Sequence, residues 1–468
     1  MKESVGCLPT NGVSFQMLSN NICQENNLSS CSGPQPAFRK HPSKLFVETT
    51  TRCNFKCQAC VKQSSGNGIV DGDMSLATFM ALVPVFPYLE NMVLSGIGEP
   101  LLHPRLEEFI GIAKKTMPHG SWVGFQSNGA LLTKTRAISL ISAGLDRICL
   151  SLDSVAGDTF RTLREGGEVT DIEQALSILG SAKDLCGKAE FEIGIEFVLR
   201  RDNVHELVDV LKWATDRGAT FAIVTHLLPY ESSHVSQISY EYNSDDALAL
   251  YEPWKRMADS EGIDISKYFD ILFSFRIFRT QEEQRILDHV RHMMLESNQR
   301  GIFLRVKNIL ERDETLFEEM TRIFDEAKGV AESTGLSLRL PEILPTANRK
   351  CDFVEGGSAM VSWDGSVHPC YYLWHNYDCY YRERDLHKHI EAKYFGNTEH
   401  NSIESIWNTQ KFILFRKEVL KYEFSYCTNC NVSPCNLIDT SEFSNDCHTN
   451  TVPCGDCFWC MGMFNCMQ

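Results

Sequence analysis

Cys53, Cys57 and Cys60 stand in Thr51-Arg-Cys-Asn-Phe-Lys-Cys-Gln-Ala-Cys60, a CxxxCxxC run that follows the apolar stretch Leu45-Phe-Val47. Thiolates at these separations can converge on three irons of one 4Fe-4S cluster, which leaves the fourth iron open to an outside ligand. An open iron means chemistry. Zinc is the alternative, but structural zinc sites favour CxxC pairs with a fourth Cys or His nearby, and none follows Cys60 closely. A second block of cysteines ends the chain: Cys351, Cys370, Cys427-x2-Cys430-x4-Cys435, Cys447, Cys454-x2-Cys457-x2-Cys460 and Cys466. These spacings suit either iron-sulfur clusters or structural zinc.

Polar residues with chemical potential recur between the two blocks. In Ser95-Gly-Ile-Gly-Glu-Pro100, Gly96 and Gly98 allow backbone to approach a ligand, and Glu99 offers a carboxylate to a cation. Nothing close in sequence needs that charge. Gln126-Ser-Asn-Gly129 and Ser151-Leu-Asp153 each follow an apolar run, and Arg161 and Arg164 follow in Phe-Arg-Thr-Leu-Arg-Glu-Gly-Gly. Either arginine is a surface helix charge or a fork for a carboxylate.

The elements that must position these residues are legible from Leu45 to about Pro229. LFVETTT, MVLSG, WVGFQSNG, RICLSLDS, FEIGIEFVL and FAIVTHLLP alternate with helix-like segments, which predicts six parallel strands with right-handed crossovers. The polar residues above then fall at strand ends, where barrel enzymes build their sites. The expected fold class is α/β: a partial (β/α)6 TIM-like barrel over 42–230, a helical bridge over 231–345 and a small cysteine-rich domain over 346–468. Residues 1–41 read as a loosely ordered arm rich in Ser, Asn, Gly and Pro. Within the bridge, His289, His292, Met293 and Met294 read as packing or solvated positions of amphipathic helices. After Lys421 aliphatic residues are few, so the C-terminal segment is expected to need metal to fold.

With 45 Lys and Arg against 61 Asp and Glu, the 468-residue chain carries a net charge of −16, which opposes binding to nucleic acid or anionic lipid. The first residues lack a secretory signal, and no apolar stretch is long enough for a membrane span, so a cytoplasmic location is expected. Nineteen cysteines in a reducing compartment then point to metal or redox chemistry rather than disulfides. Cys7, Cys23, Cys31, Cys149, Cys186 and Cys379 lie outside the clusters and read as ordinary thiols.

The triplet after a first strand, with GxGEP at the end of the second, resembles the radical S-adenosylmethionine (SAM) superfamily over about residues 44–230. That resemblance implies a SAM-binding 4Fe-4S cluster on Cys53, Cys57 and Cys60, with Phe55 close to SAM and Gly96, Gly98, Glu99 and Pro100 around its amino group. Ser127, Asn128, Ser151 and Asp153 resemble the family's ribose and methionine contacts. Arg164 is the implied partner of the SAM carboxylate, and the backbone at Leu227 is implied to pass the adenine. The C-terminal block resembles the SPASM extension of radical SAM maturases, which carries two auxiliary 4Fe-4S clusters. By family order Cys351, Cys370 and one later cysteine serve the inner cluster, and Cys427, Cys430, Cys435 and one near the end the outer one. Candidates for the later ligands are Cys447, Cys454, Cys457 and Cys466. The Cys430 to Cys435 gap is one residue short of the family spacing, and Cys447 follows too far on.

The resemblance implies reductive cleavage of SAM to a 5′-deoxyadenosyl radical that modifies a protein, a peptide or a metallocofactor. A low-potential donor such as ferredoxin or flavodoxin would supply the electron. The ending NDCHTNTVPCGDCFWCMGMFNC resembles maturases paired with tungsten-cofactor oxidoreductases, which favours metalloenzyme maturation. Alternatives are a maturase of ribosomal peptides or sulfatases, for which the arm is short as a leader-binding domain, and a non-catalytic iron-sulfur electron carrier or zinc scaffold. A carrier would have no use for Gly98, Glu99 and the strand-end polar set.

Overall fold

The computed structural model describes residues 35–273, 279–382, 386–432, 435–438, 440 and 443–468. Most of the N-terminal arm, with Cys7, Cys23 and Cys31, lies outside the described residues. β1 (Lys44–Val47), β2 (Asn91–Val93), β3 (Trp122–Ser127), β4 (Arg147–Ser151), β5 (Glu192–Leu199) and β6 (Phe221–His226) are the six expected strands. They stand side by side in sequence order and every pair is parallel. Helices Leu106–Thr116, Lys134–Ala143, Val169–Cys186 and Leu207–Thr215 cross between them. Local signals set their ends: Thr133 accepts from the Arg136 N–H to start one helix, and Gly144, at φ 107°, ends it in the left-handed region where a side chain is costly.

Four later strands widen this sheet to ten. β7 (Ser337–Arg339) joins β6 in parallel, and β8 (Ser358–Val361) joins β1 in parallel on the other side. β9 (Ser366–His368) and β10 (Gly396–Asn397) continue beyond β8 with antiparallel pairing. The order is therefore β10-β9-β8-β1-β2-β3-β4-β5-β6-β7. β7 arises inside the stretch expected to be a helical bridge, and its three residues were too few to give a strand period. Among the described residues the other regular elements of that stretch are helices, with Asp245–Ser260, Gln281–Arg300 and Glu314–Thr334 the long members.

Two apolar cores result. The smaller holds Ala247, Leu250, Ile286, Val290 and Met293 between the first two of those helices. His289 packs edge-on to Trp254 with Nε2 at 2.9 Å from the Trp254 carbonyl, which makes it a core histidine. The larger core runs from the sheet into the C-terminal segment, where Phe424, Tyr426, Val452, Phe458, Met461, Met463, Phe464 and Met467 are buried. The segment, expected to be poor in core, is therefore packed into one. Aromatic and methionine side chains supply the buried area that aliphatic residues do not. Among the described residues no helix is long and apolar enough to cross a membrane.

His226 ends β6 and ties it to the later chain: Nε2 lies 2.9 Å from the Glu342 carbonyl and Nδ1 lies 3.2 Å from the Ser239 hydroxyl. Burial pushes its pKa down to about 4. The unfolded chain, with an ordinary histidine near 6.5, binds the proton first on acidification, so the contribution is complete above pH 6.5 and is lost as pH falls towards 4. The stability advantage of the native chain over His226→Gln should shrink by about 3 kcal/mol across that window. Denaturant unfolding of both proteins at pH 7 and pH 4 measures it, and an advantage independent of pH would refute the assignment.

Candidate functional site

The cysteine loop leaves the C-terminal end of β1 and is held by the loop after β2. Gly98 N–H donates to the Thr50 carbonyl at 3.2 Å and Glu99 N–H to the Arg52 carbonyl at 2.8 Å. A side chain on residue 98 would meet those same carbonyls: a Cβ there would lie 2.4 Å from the oxygen of Thr50 and 2.5 Å from that of Arg52. The glycine is required by backbone approaching backbone. Gly96 leaves room for Glu48, whose Cγ a Cβ at 96 would approach to 2.4 Å.

Further along, Lys56–Cys57 pairs antiparallel with Arg164–Glu165, which sets Cys57 opposite Arg164. Phe55 is buried with its ring against Gly167, where a Cβ would come within 2.4 Å of it. The Asn128 amide donates to Asn54 Oδ1 at 2.8 Å and closes the loop from the β3 side.

One open cleft of about 260 Å³ gathers most of the expected residues. Cys53, Phe55, Cys57, Cys60, Gly96, Gly98, Glu99, Ser127, Asn128, Ser151, Asp153 and Arg164 all line it. Pro100 does not; it is buried at the start of the short helix Pro100–Leu102. Leu227 is also absent from the lining, and its N–H donates to the Leu199 carbonyl as the sheet continues. Arg161 pairs with Glu168 at 2.8 Å and with Asp158 on an exposed helix face.

The electrostatics are those of charge removed from water. Glu99 is 3 % exposed and accepts from Leu101 N–H at 3.0 Å, the Ser127 hydroxyl at 2.8 Å and Asn128 N–H at 2.7 Å. Burial pushes its pKa up, and these three donors oppose the rise. The sequence suggested that nothing nearby needs this carboxylate; the fold supplies three backbone and hydroxyl donors that do. Arg164 Nε lies 2.8 Å from Asp153 Oδ2, and Asp153 Oδ1 accepts from Val198 N–H at 2.9 Å. Burial alone would lower the Arg164 pKa, but Asp153 and Cys57 reverse the effect and hold it above its usual value. Burial raises all three thiols, Cys60 to about 11.

Sequence reasoning missed Glu196 and Arg200, which line the same cleft from β5 and just beyond. Burial lifts Glu196 to about 7, with Arg164 opposing the rise and Asp153 adding to it. The signal was present, since a carboxylate in the middle of FEIGIEFVL sits on a strand with both faces covered. Glu48 in LFVETTT carries the same signal: it is fully buried, accepts from Ile97 N–H and lies 3.2 Å from His375 Nε2.

A second site is built from the late cysteines. Cys351, Cys370, Cys454, Cys457 and Cys460 line an apolar chamber with Phe353, Tyr372, Phe424 and Trp459 among its walls. Burial pushes Cys351, Cys370 and Cys454 up, Cys370 to about 12. Cys460 was left out of the expected ligands, and Cys466, which was included, does not line this chamber. Cys430, Cys435 and Cys447 form a separate, less buried group whose charges act on one another. Cys427 does not line the chamber, but its Sγ lies 3.2 Å from the Ser425 hydroxyl and a Cβ at Gly455, beside Cys454, would approach it to 3.0 Å. Cys379 is buried near the Lys388–Asp456 ion pair, and Cys149 is core.

Among the described residues no three His, Cys, Asp or Glu side chains close on a single ion; the five thiols stand around a space. Sulfur donors around an apolar chamber, and three half-buried thiols beside a polar cleft, are donor sets that fit iron-sulfur clusters.

The radical SAM superfamily model matches residues 47–214, and the SPASM model, an iron-sulfur cluster-binding domain, matches residues 351–431. A Pyrococcus furiosus protein described as a tungsten-containing aldehyde ferredoxin oxidoreductase cofactor-modifying protein is 26 % identical over 421 residues, covering 89 % of this chain and 94 % of its own. A GTP 3′,8-cyclase of Mycobacterium marinum is 26 % identical over 224 residues, 47 % of this chain and 60 % of the cyclase. Among solved structures, Streptococcus suis SuiB bound to precursor peptide SuiA aligns with a TM-score of 0.47 at 10 % identity, over 89 % of this chain and 79 % of SuiB.

Removing the anion from the Arg164 pair should be costly, because the guanidinium stays buried without a partner. Asp153→Asn should lower unfolding free energy by about 3–5 kcal/mol. Chemical denaturation followed by circular dichroism measures it, and a loss below about 1 kcal/mol would show the pair to be solvated.

Proposed function

The chain belongs to the radical SAM superfamily and carries a SPASM iron-sulfur domain, and from that premise we propose that it is a maturase that modifies the cofactor of a metalloenzyme. The observation that carries this reading is the likeness to the cofactor-modifying protein of Pyrococcus furiosus, which spans nearly the whole of both chains. The likeness to the GTP cyclases, by contrast, spans less than half of this chain. Held by Cys53, Cys57 and Cys60 and by the cleft, a 4Fe-4S cluster and SAM would supply one-electron reductive cleavage and hydrogen-atom abstraction.

The chain's own residues divide the remaining work. Cys53, Cys57 and Cys60 hold the SAM-binding cluster, with Phe55 and Gly167 packing the loop so that its thiols face the cleft. Arg164 is held by Asp153 at the cleft wall and offers its remaining N–H groups to a carboxylate. Glu99, braced by Ser127 and Asn128, presents a buried carboxylate to an ammonium group, and Glu196, lifted to about 7, shares the wall with it. Cys351, Cys370, Cys454, Cys457 and Cys460 supply one auxiliary cluster, and Cys430, Cys435 and Cys447 contribute to another. The electron comes from a low-potential donor of the ferredoxin or flavodoxin class.

Anaerobically reconstituted protein should convert SAM to 5′-deoxyadenosine under dithionite. The triple variant Cys53→Ala, Cys57→Ala, Cys60→Ala should form none while retaining a substantial share of its iron and sulfide. Product from the triple variant would overturn the placement of the catalytic cluster, and complete loss of iron would overturn the C-terminal sites. For the substrate, a metalloenzyme matured with and without this protein should differ in the mass of its extracted cofactor; identical cofactors from tungsten-dependent oxidoreductases would reject the maturase reading.

A further inference from the structure

Arg349 lies two residues before Cys351 and is 6 % exposed. Its Nη1 donates to the Cys454 carbonyl at 2.7 Å, and its Nη2 donates to the carbonyls of Ser425 at 3.0 Å and Gly455 at 2.8 Å. The guanidinium carbon lies 5.4 Å from the ring centroid of Tyr426 and 5.7 Å from that of Phe424. One fork therefore joins the segment that leads into Cys427 to the segment that carries Cys454 and Cys457.

The charge of this group is unanswered by carboxylates. Asp352, the nearest in sequence, is taken by Arg339 at 2.9 Å and Lys350 at 3.1 Å, and among the described residues no carboxylate pairs with Arg349. Carbonyl dipoles and aromatic faces soften a buried cation without neutralising it, and arginine does not discharge by losing its proton. Two other buried cations have carboxylate partners, Arg164 with Asp153 and Lys388 with Asp456, whereas Arg416 has the Ala37 carbonyl and the Trp407 and Phe412 rings. Beside the carbonyls and rings lies sulfur. Nη1 is 4.0 Å from Cys460 Sγ, and its field reaches Cys427 and Cys454.

We infer that Arg349 is the counter-cation of an anionic iron-thiolate group in the Cys351, Cys370, Cys454, Cys457 and Cys460 chamber, and that its charge raises the reduction potential of that group. The inference rests on the reading of the chamber as a cluster site. Metal-bound sulfurs are thiolates, and four of them outweigh the charge of an iron-sulfur core. One-electron reduction by the low-potential donor adds a further negative charge without breaking a bond. A fixed cation at this distance in a poorly screened interior favours the reduced form over the oxidised one. The carbonyl fork has the separate effect of holding the two cysteine segments in place before metal arrives.

The test uses full-length protein in which Cys53, Cys57, Cys60, Cys430, Cys435 and Cys447 are all Ala, so that the chamber is observed alone. Iron and sulfide content and a dithionite potentiometric titration read by EPR are recorded for this parent and for Arg349→Lys and Arg349→Gln within it. The parent and Arg349→Lys should hold a cluster of similar potential. Arg349→Gln should shift the reduction equilibrium at least tenfold towards the oxidised form, about 59 mV for one electron, or fail to retain iron where Arg349→Lys retains it. Full iron with an unchanged potential in Arg349→Gln overturns the inference, and so does iron loss in both variants, which would leave only a structural fork. Absence of iron from the parent overturns the chamber reading itself.

Discussion

Two hydrogen bonds between loops hold the site together. Gly98 and Glu99 donate to the carbonyls of Thr50 and Arg52, so the segment after β2 is zipped to the segment that begins the cysteine loop. The contact allows no side chain at residue 98, and it aims the Glu99 carboxylate at the end of β3, where Ser127 and Asn128 receive it. From there Asn128 reaches back to Asn54 between the first two cysteines. A closed circuit of backbone and short polar side chains thus joins three strand ends, and the thiols inherit their positions from it.

Around that circuit the controlling physics is desolvation. Cys60, Glu99 and Glu196 are all pushed towards their neutral forms by burial, and the cations available to oppose this are few and individually placed. Arg164 is committed to Asp153 yet lies opposite Cys57, so it stabilises negative charge on the loop without leaving its own partner. Arg349 plays a corresponding part in the C-terminal chamber with carbonyls in place of a carboxylate. A cluster with thiolate ligands adds negative charge to both places, and in both the fold has installed a buried arginine beforehand.

The C-terminal segment is not an appendage hung on metal. β8 extends the sheet beside β1, Phe46 of β1 packs against Phe353 and Tyr371, and Met461, Met463 and Met467 lie in the same core as the barrel strands. The catalytic loop and the first late cysteines therefore hang from the two sides of one parallel strand pair. Their separation is fixed by sheet geometry.

Much of this was legible in the residues. The triplet, the GxGEP turn, six apolar runs with their polar ends, and the helical stretch around His289 all depend on local spacing and period, and each appears where the sequence places it. What local pattern does not carry is partnership. Glu99 was readable as a carboxylate for a ligand, but two of its three donors lie 28 and 29 residues away in Ser127 and Asn128. Glu196 and Glu48 looked like strand residues, and Cys460 was not named as a candidate, because only the folded chain determines which of several close cysteines faces the chamber. The sequence by itself determined which chemistry is possible, since residue type and short spacing set what a loop can ligate. Tertiary structure decided which groups share one low-dielectric space, because burial and pairing are properties of segments brought together from across the chain.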